Sequence, residues 1–144
     1  MLKFFVKEYR KKIAKQLFIE ANGIVNRGLF EGMHLGEEIH WGKADVASKI
    51  YGLYESEVME FIKDKHYESL VNLGAADGYY PIGMLMKKRV SHAYCFEENP
   101  LGAKYINQNA KLNRLDGAIS IYGRADSQFY KQLPEGVVGV NNLV

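Results

Sequence analysis

From Ser69 onward, short apolar runs alternate with segments of helical spacing, and this order constrains the fold more than any other feature of the sequence. The predicted elements are strands at 69–73, 90–96 and 118–122, helices at 79–88 and 100–113, and a short helix capped by Asp126 or Ser127. Strands that alternate with helices form a parallel sheet with right-handed crossovers. The order therefore predicts a Rossmann-like α/β sheet with helices on both faces, and a ligand site outside the carboxyl ends of the strands.

A glycine-containing turn follows the first predicted strand. Gly74-Ala-Ala-Asp-Gly78 separates this strand from a helix with Pro81 in its first turn, where a missing N–H costs nothing. The helix N-terminus offers free amides and the positive end of its dipole, while small residues let a ligand approach the backbone. Tight strand–helix packing is the simpler explanation of such a turn when it stands alone.

Acidic residues follow the next two predicted strands. Glu97 lies 19 residues beyond Gly78, where a carboxylate can accept hydrogen bonds from both hydroxyls of a ribose, and Asp126 follows the third strand. Together with the turn, these acids indicate an adenosine-containing cofactor.

The spacing inside the turn distinguishes between such cofactors. A dinucleotide fingerprint has the spacing G-x-G-x-x-G, whereas this turn reads G-x-x-x-G and contains Asp77. A carboxylate at that place would repel a diphosphate. It suits S-adenosylmethionine, which carries an amino group and a sulfonium.

Two segments carry a family resemblance. Val71-Asn-Leu-Gly-Ala-Ala-Asp-Gly-Tyr-Tyr80 and Phe96-Glu-Glu-Asn-Pro100 resemble the first two motifs of class I S-adenosylmethionine-dependent methyltransferases, and most of all the FkbM-type group. The resemblance covers residues 28–133 and implies O-methylation of a small molecule or sugar. The cofactor-binding residues that it implies are Asn72, Gly74, Ala75, Ala76, Asp77, Gly78, Tyr79, Glu97, Glu98, Asn99, Ala125 and Asp126.

Within that set, the resemblance implies separate roles. The small residues of the turn would line the methionine part, Glu97 would hold the ribose, and Ala125 with Asp126 would border the adenine. Asn72 departs from the family, in which many members carry an acidic residue at this place. The sequence identifies no catalytic base, because His66 and His92 are predicted to lie away from the carboxyl edge of the sheet.

The length of the chain limits how much of such a fold it holds. Residues 69–144 comprise 76 positions. At about 30 residues per strand–helix–strand unit, this length accommodates about three strands. The tail 134–144 has β-type residues for one further edge strand. We therefore expect a cofactor-binding part that is either truncated or completed by a second chain or a homo-oligomer. A non-catalytic remnant that binds a nucleoside or a protein is the alternative to an enzyme.

Residues 1–68 are predicted to form an N-terminal helical extension with a short hairpin. Glycines punctuate its connector, whose polar residues His34, Glu37, Glu38 and His40 match no recognised metal-ligand spacing and suit an exposed loop. No metal is expected.

Charge and composition exclude several classes of protein. The net charge is +2 with 25% charged residues, which is ordinary for a globular protein and disfavours a nucleic-acid partner. The single cysteine, Cys95, makes no intramolecular disulfide, so a cytoplasmic location is expected. No apolar run approaches the ~20 residues needed for stable membrane insertion.

The basic character is concentrated at the N-terminus. Residues 1–15 carry six lysines or arginines against Glu8, a local charge of +5, and show the apolar spacing of an amphipathic helix. Such a helix packs its apolar stripe on the domain, or it lies on an anionic membrane or along phosphates.

Overall fold

The computed structural model describes residues 2–36, 45–137 and 142–143, and the chain divides into two compact units, 1–63 and 64–144. The first unit contains helices α1 (Leu2–Glu20), α2 (Asp45–Ile50) and α3 (Ser56–Ile62). The second contains strands β1 (Ser69–Leu73), β2 (His92–Phe96), β3 (Ile119–Tyr122) and β4 (Asn142–Leu143), helices α4 (Tyr79–Met86) and α5 (Pro100–Leu112), and 3-10 turns at Asp116–Ala118 and Phe129–Gln132.

The four strands of the second unit form one parallel sheet in the order β3-β2-β1-β4. After β3 the chain returns to the far side of β1, so the strand order reverses between β1 and β4. Ligands of open α/β sheets bind outside the carboxyl ends of the strands at such a reversal. The predicted partial Rossmann-like fold is confirmed.

Side chains of the central strands alternate between two buried faces. Ala93 and Cys95 point to one face and are fully buried. On the other face, Val71 and Phe96 form an apolar cluster with two residues of the segment that follows β3, Leu133 and Val137. The strands therefore sit in a core on both sides.

Local signals predicted most of the element boundaries. Helix α5 begins at Pro100, and the Asn99 side chain accepts a hydrogen bond from the Leu101 N–H at 2.9 Å, as expected of an N-cap. Strand β2 begins at His92, two residues later than predicted, because Lys88 takes a left-handed φ of 54° and the Ser91 N–H donates to the Glu68 carbonyl.

Two other helical segments start differently. Helix α3 begins at Ser56, but its N-cap is Glu55 with a φ of 44°, and no side chain caps it. The Asp126 side chain accepts from the Gln128 N–H at 2.8 Å, yet the segment that follows forms only the 3-10 turn at Phe129–Gln132.

In the first unit, the described part of the predicted hairpin, up to residue 36, contains an antiparallel bridge between Ile24 and His34. The other polar residues weighed as metal ligands, Glu37, Glu38 and His40, lie outside the described residues. Within residues 2–36, 45–137 and 142–143, no helix combines the length and apolar character needed to cross a bilayer.

Cys95 is expected to be chemically inert in the folded protein. It is fully buried in β2, and this burial raises the pKa of its thiol to about 12, which leaves almost no thiolate at pH 8. Iodoacetamide at pH 8 should leave the native protein unmodified and alkylate one cysteine after unfolding in urea, as read by intact mass. Rapid alkylation of the native protein would contradict the buried position.

Candidate functional site

The turn after β1 is tied to the end of β2. The N–H groups of Gly74 and Ala75 both donate to the Phe96 carbonyl, at 2.9 and 3.0 Å. Gly74 has a φ of 74°, and a Cβ placed there would meet no atom within 4 Å. The main chain at the carboxyl end of β1 is thus open to a ligand.

Glu97 joins this turn from the neighbouring strand. Its Oε2 accepts from the Ala76 N–H at 2.8 Å, its Oε1 accepts from the Asn99 N–H at 2.9 Å, and the residue is only 9% exposed. The structure therefore brings the two sequence motifs into direct contact and holds the carboxylate in one orientation.

Gly102 lets helix α5 approach this carboxylate. A Cβ on Gly102 would lie 2.5 Å from the Glu97 Cγ and 2.9 Å from the Ala76 carbonyl oxygen. No side chain fits at that distance, so glycine in the first turn of α5 is a packing requirement. Gly102 is not among the predicted site residues, although an isolated glycine inside a helical pattern indicates close packing.

Asp77 lies within the turn and is buried, at 1% exposure. Its Oδ1 accepts from the Tyr79 N–H at 3.2 Å, which places a negative charge at the positive end of helix α4. One role of this carboxylate is therefore to stabilise the first turn of α4.

A second residue missed from the sequence, Asn109 of α5, holds the same turn from the other side. Its Nδ2 donates to the Asp77 carbonyl at 2.9 Å, and the residue is completely buried. The residue four positions after Asp77 is Pro81, which has no N–H to offer that carbonyl. Asn109 supplies a donor from 32 residues away.

Two residues of the predicted cofactor-binding set, Asn72 and Tyr79, are partly or fully buried. Asn72 is half-buried in β1 and is paired in register with Cys95 of β2. Tyr79 is 3% exposed, with its ring centroid 5.9 Å from that of Tyr80 in an edge-to-face arrangement.

The remaining predicted residues follow β2 and β3 at the same edge of the sheet. Glu98 is exposed, and its Oε2 lies 3.7 Å from the Arg124 Nε. Ala125 packs against the apolar cluster, and Asp126 is exposed. Residues from three strand ends thus line one edge of the sheet.

The histidines weighed as bases lie elsewhere. His92 is the first residue of β2, at the opposite end of the strand, where its Nε2 lies 2.9 Å from the Ser120 Oγ and burial lowers its pKa. His66 contacts the Arg89 guanidinium and is exposed. Both placements confirm the prediction. Across the part of the chain that the structure describes, no group of His, Cys, Asp or Glu side chains is arranged to hold a metal ion.

Residues 43–138 match a protein family described as the TRM5/TYW2 methyltransferase domain. A curated relative from Methanocaldococcus jannaschii, tRNA(Phe) (4-demethylwyosine(37)-C(7)) aminocarboxypropyltransferase, is 32% identical over 82 residues, which are 55% of this chain and 32% of the relative. The chain therefore spans about a third of the length of that relative.

Two solved structures from Pyrococcus horikoshii are also similar. One is described as a transferase and shares 20% identity over 51% of this chain and 28% of its own, with a TM-score of 0.44. The other is TYW2 in complex with MeSAdo, with 18% identity over 52% of this chain and 27% of its own, and a TM-score of 0.42.

These findings correct two expectations. The class I methyltransferase resemblance is confirmed, but the FkbM-type assignment is wrong, because the matched family is TRM5/TYW2. The expectation of a small-molecule or sugar acceptor with no nucleic-acid partner is also wrong, because the curated relative is named for its action on tRNA(Phe). Net charge over the whole chain is a poor guide here, since it averages over regions of opposite sign.

Proposed function

Because the chain belongs to the TRM5/TYW2 methyltransferase domain family, we propose that it transfers a group from S-adenosylmethionine to a nucleoside of tRNA. S-adenosylmethionine is the cofactor of this family, as the sequence predicted. The observation that supports the proposal most strongly is the hydrogen bond from the Ala76 N–H to Glu97 Oε2, at 2.8 Å. It joins the turn after β1 to the acid after β2, and it does so beside the reversal in strand order.

The residues at this edge suit the parts of the cofactor. Each oxygen of the Glu97 carboxylate accepts a hydrogen bond from a main-chain N–H, and a carboxylate oxygen has a second lone pair for a ribose hydroxyl. The open main chain at Gly74 leaves room for the methionine part. Ala125 and Asp126, after β3, are proposed to border the adenine.

The work of these residues is binding and orientation. The cofactor supplies an activated carbon on its sulfonium, and transfer needs the accepting atom in line with the bond that breaks. Fixed hydrogen bonds at Glu97 and Asp77 hold the turn so that little reorganisation is needed when the cofactor binds. The exclusion of water around the sulfonium favours the displacement.

Two groups are candidates for transfer. The family description favours the methyl group, whose transfer breaks the sulfur–methyl bond and leaves S-adenosylhomocysteine. The name of the curated relative favours the aminocarboxypropyl group, whose transfer breaks the bond from sulfur to the amino-acid chain and leaves methylthioadenosine. In either case the accepting atom gains the carbon group and loses a proton to solvent. A tRNA substrate agrees with the predicted cytoplasmic location.

A double-label experiment separates the two transfers. The full chain would be incubated with unmodified tRNA and S-adenosylmethionine labelled in the methyl group or, in a parallel reaction, in the carboxyl carbon of the methionine part. The methyl label alone in the RNA indicates methyl transfer, and the carboxyl label alone indicates aminocarboxypropyl transfer. Controls omit the protein or replace the RNA with a sugar acceptor.

Two results would contradict the proposal. If neither label enters RNA while calorimetry detects binding of S-adenosylmethionine, the chain is the non-catalytic nucleoside-binding remnant. If calorimetry detects binding of NAD instead, the interpretation of the turn is wrong.

A further inference from the structure

Helix α1 carries a row of lysines that the cofactor site does not use. Lys3, Lys7, Lys11 and Lys15 recur every four residues, and positions four apart are neighbours on one inclined row of a helix surface. The row is about 18 Å long at 1.5 Å per residue. Arg10 lies beside it.

The row is accessible. Lys3, Lys7 and Lys15 are exposed, and Lys11 pairs with Glu8. An exposed aromatic side chain accompanies the row, since Phe4 is 64% exposed and lies three positions before Lys7 and seven before Lys11. Cations interleaved with aromatic rings are typical of surfaces that bind nucleic acids, because cations contact phosphates and rings stack on bases.

The charge of this segment contrasts with the rest of the protein. Residues 1–15 have a net charge of +5, whereas the whole chain has +2. A polyanion would therefore be attracted to this helix and not to the protein as a whole.

Apolar residues of α1 border a groove within the first unit. Val6, Ile13 and Ala14 border a groove shared with Ala47 of α2. A helix that lies on a membrane buries its apolar face in lipid; here Ala14 is 6% exposed, whereas Val6 and Ile13 are 43% and 38% exposed. Ala14 lies seven positions after Lys7, so the groove reaches the edge of the lysine row, and Lys3, Lys7 and Lys15 remain exposed beside it. Binding to an anionic membrane is therefore an outcome that the test separates from binding to tRNA.

We propose that the row Lys3, Lys7, Lys11 and Lys15 of α1 binds the phosphate backbone of the tRNA substrate. The inference rests on the proposed function for the identity of the RNA. It adds a binding surface in the first unit to the cofactor site in the second. Contact with phosphates is independent of sequence, so this surface contributes affinity and leaves the choice of nucleoside to other residues.

The test is the salt dependence of tRNA binding by the full chain. The variant replaces Lys3, Lys7 and Lys15 with glutamine and leaves Lys11 in its pair with Glu8. Because each phosphate contact contributes about 0.7 to 0.9 to the slope of log K against log salt, the slope should fall by about two to three. Affinity for tRNA at 0.15 M salt should fall by about tenfold or more.

Two control proteins make the result specific. One replaces Lys65, Lys88 and Lys111 with glutamine, which removes the same charge from the second unit, and it should bind tRNA with a slope near that of the wild type. The other replaces Lys3, Lys7 and Lys15 with arginine, which should restore binding. Circular dichroism of each variant checks that the helix content is unchanged.

The outcomes separate this inference from the proposed function. Equal affinity and slope for the α1 glutamine variant and the wild type would overturn the inference, while label transfer to tRNA would leave the proposed function standing. The inference would also be overturned if the α1 glutamine variant lost binding to vesicles of phosphatidylserine and kept binding to tRNA. Equal losses in the two glutamine variants would show a general charge effect and no specific role for α1.

Discussion

Replacement of Glu97 with alanine is expected to weaken the binding of S-adenosylmethionine by about 100-fold. The two charge-assisted hydrogen bonds proposed between Glu97 and the ribose would together contribute about 3 kcal/mol, which corresponds to that factor. The substitution also removes the acceptor that now fixes the Ala76 N–H, so the turn loses its orientation as well. Isothermal titration calorimetry of the two proteins with S-adenosylmethionine and S-adenosylhomocysteine measures the loss.

Glu98 provides the matched control for this experiment. It is the adjacent carboxylate, but it is exposed and its ion pair with Arg124 is long, at 3.7 Å. Glu98 belongs to the predicted cofactor-binding set, but its carboxylate is exposed and screened by solvent, so we expect Glu98→Ala to change the affinity by less than about threefold. If both variants bound the cofactor like the wild type, the ribose would have to be held by another group. A thermal melt of each variant separates lost binding from lost folding.

Replacement of Asn109 with alanine is expected to lower the free energy of unfolding by about 2 to 3 kcal/mol. The variant removes the hydrogen bond from Asn109 to the Asp77 carbonyl and leaves a cavity in a completely buried position. Because the same bond holds the turn at the cofactor site, affinity for S-adenosylmethionine should also fall, by about tenfold. Urea unfolding followed by circular dichroism measures the first effect, and calorimetry the second.

Asn107 on the same helix is the control for the Asn109 variant. It is exposed, and its Nδ2 donates only to the Ala103 carbonyl of its own helix. Asn107→Ala should change the stability by less than about 0.5 kcal/mol. Equal stability of the two variants would show that the bond from Asn109 to the turn contributes little.

The elements of the second unit were predictable because their signals are local. Strand β1 occupies the residues predicted for it, and Asn99 with Pro100 starts α5 as expected. A cap and a first-turn proline act within a few residues, so their effect does not depend on the rest of the fold. The start of β2 was less predictable, since the left-handed Lys88 and a bond from Ser91 to Glu68 determine it.

The acceptor was not predictable from the cofactor motifs. The turn at 74–78 and the acid at Glu97 are predicted to serve S-adenosylmethionine, a cofactor that families with different substrates share. Fold and cofactor therefore leave the substrate open. The FkbM-type expectation failed at this step, and the family match over residues 43–138 corrected it.

The sequence by itself determined the alternation of strands and helices, the position of the glycine turn and the acid that follows the next strand. These features rest on periodicity, turn chemistry and capping, which act over a few residues. The tertiary structure decided what holds them together. Gly102 admits α5 against Glu97, and Asn109 donates to a carbonyl that Pro81 cannot serve. Such contacts join residues far apart in the chain, and only the packing of α5 against the turn brings them within bonding distance.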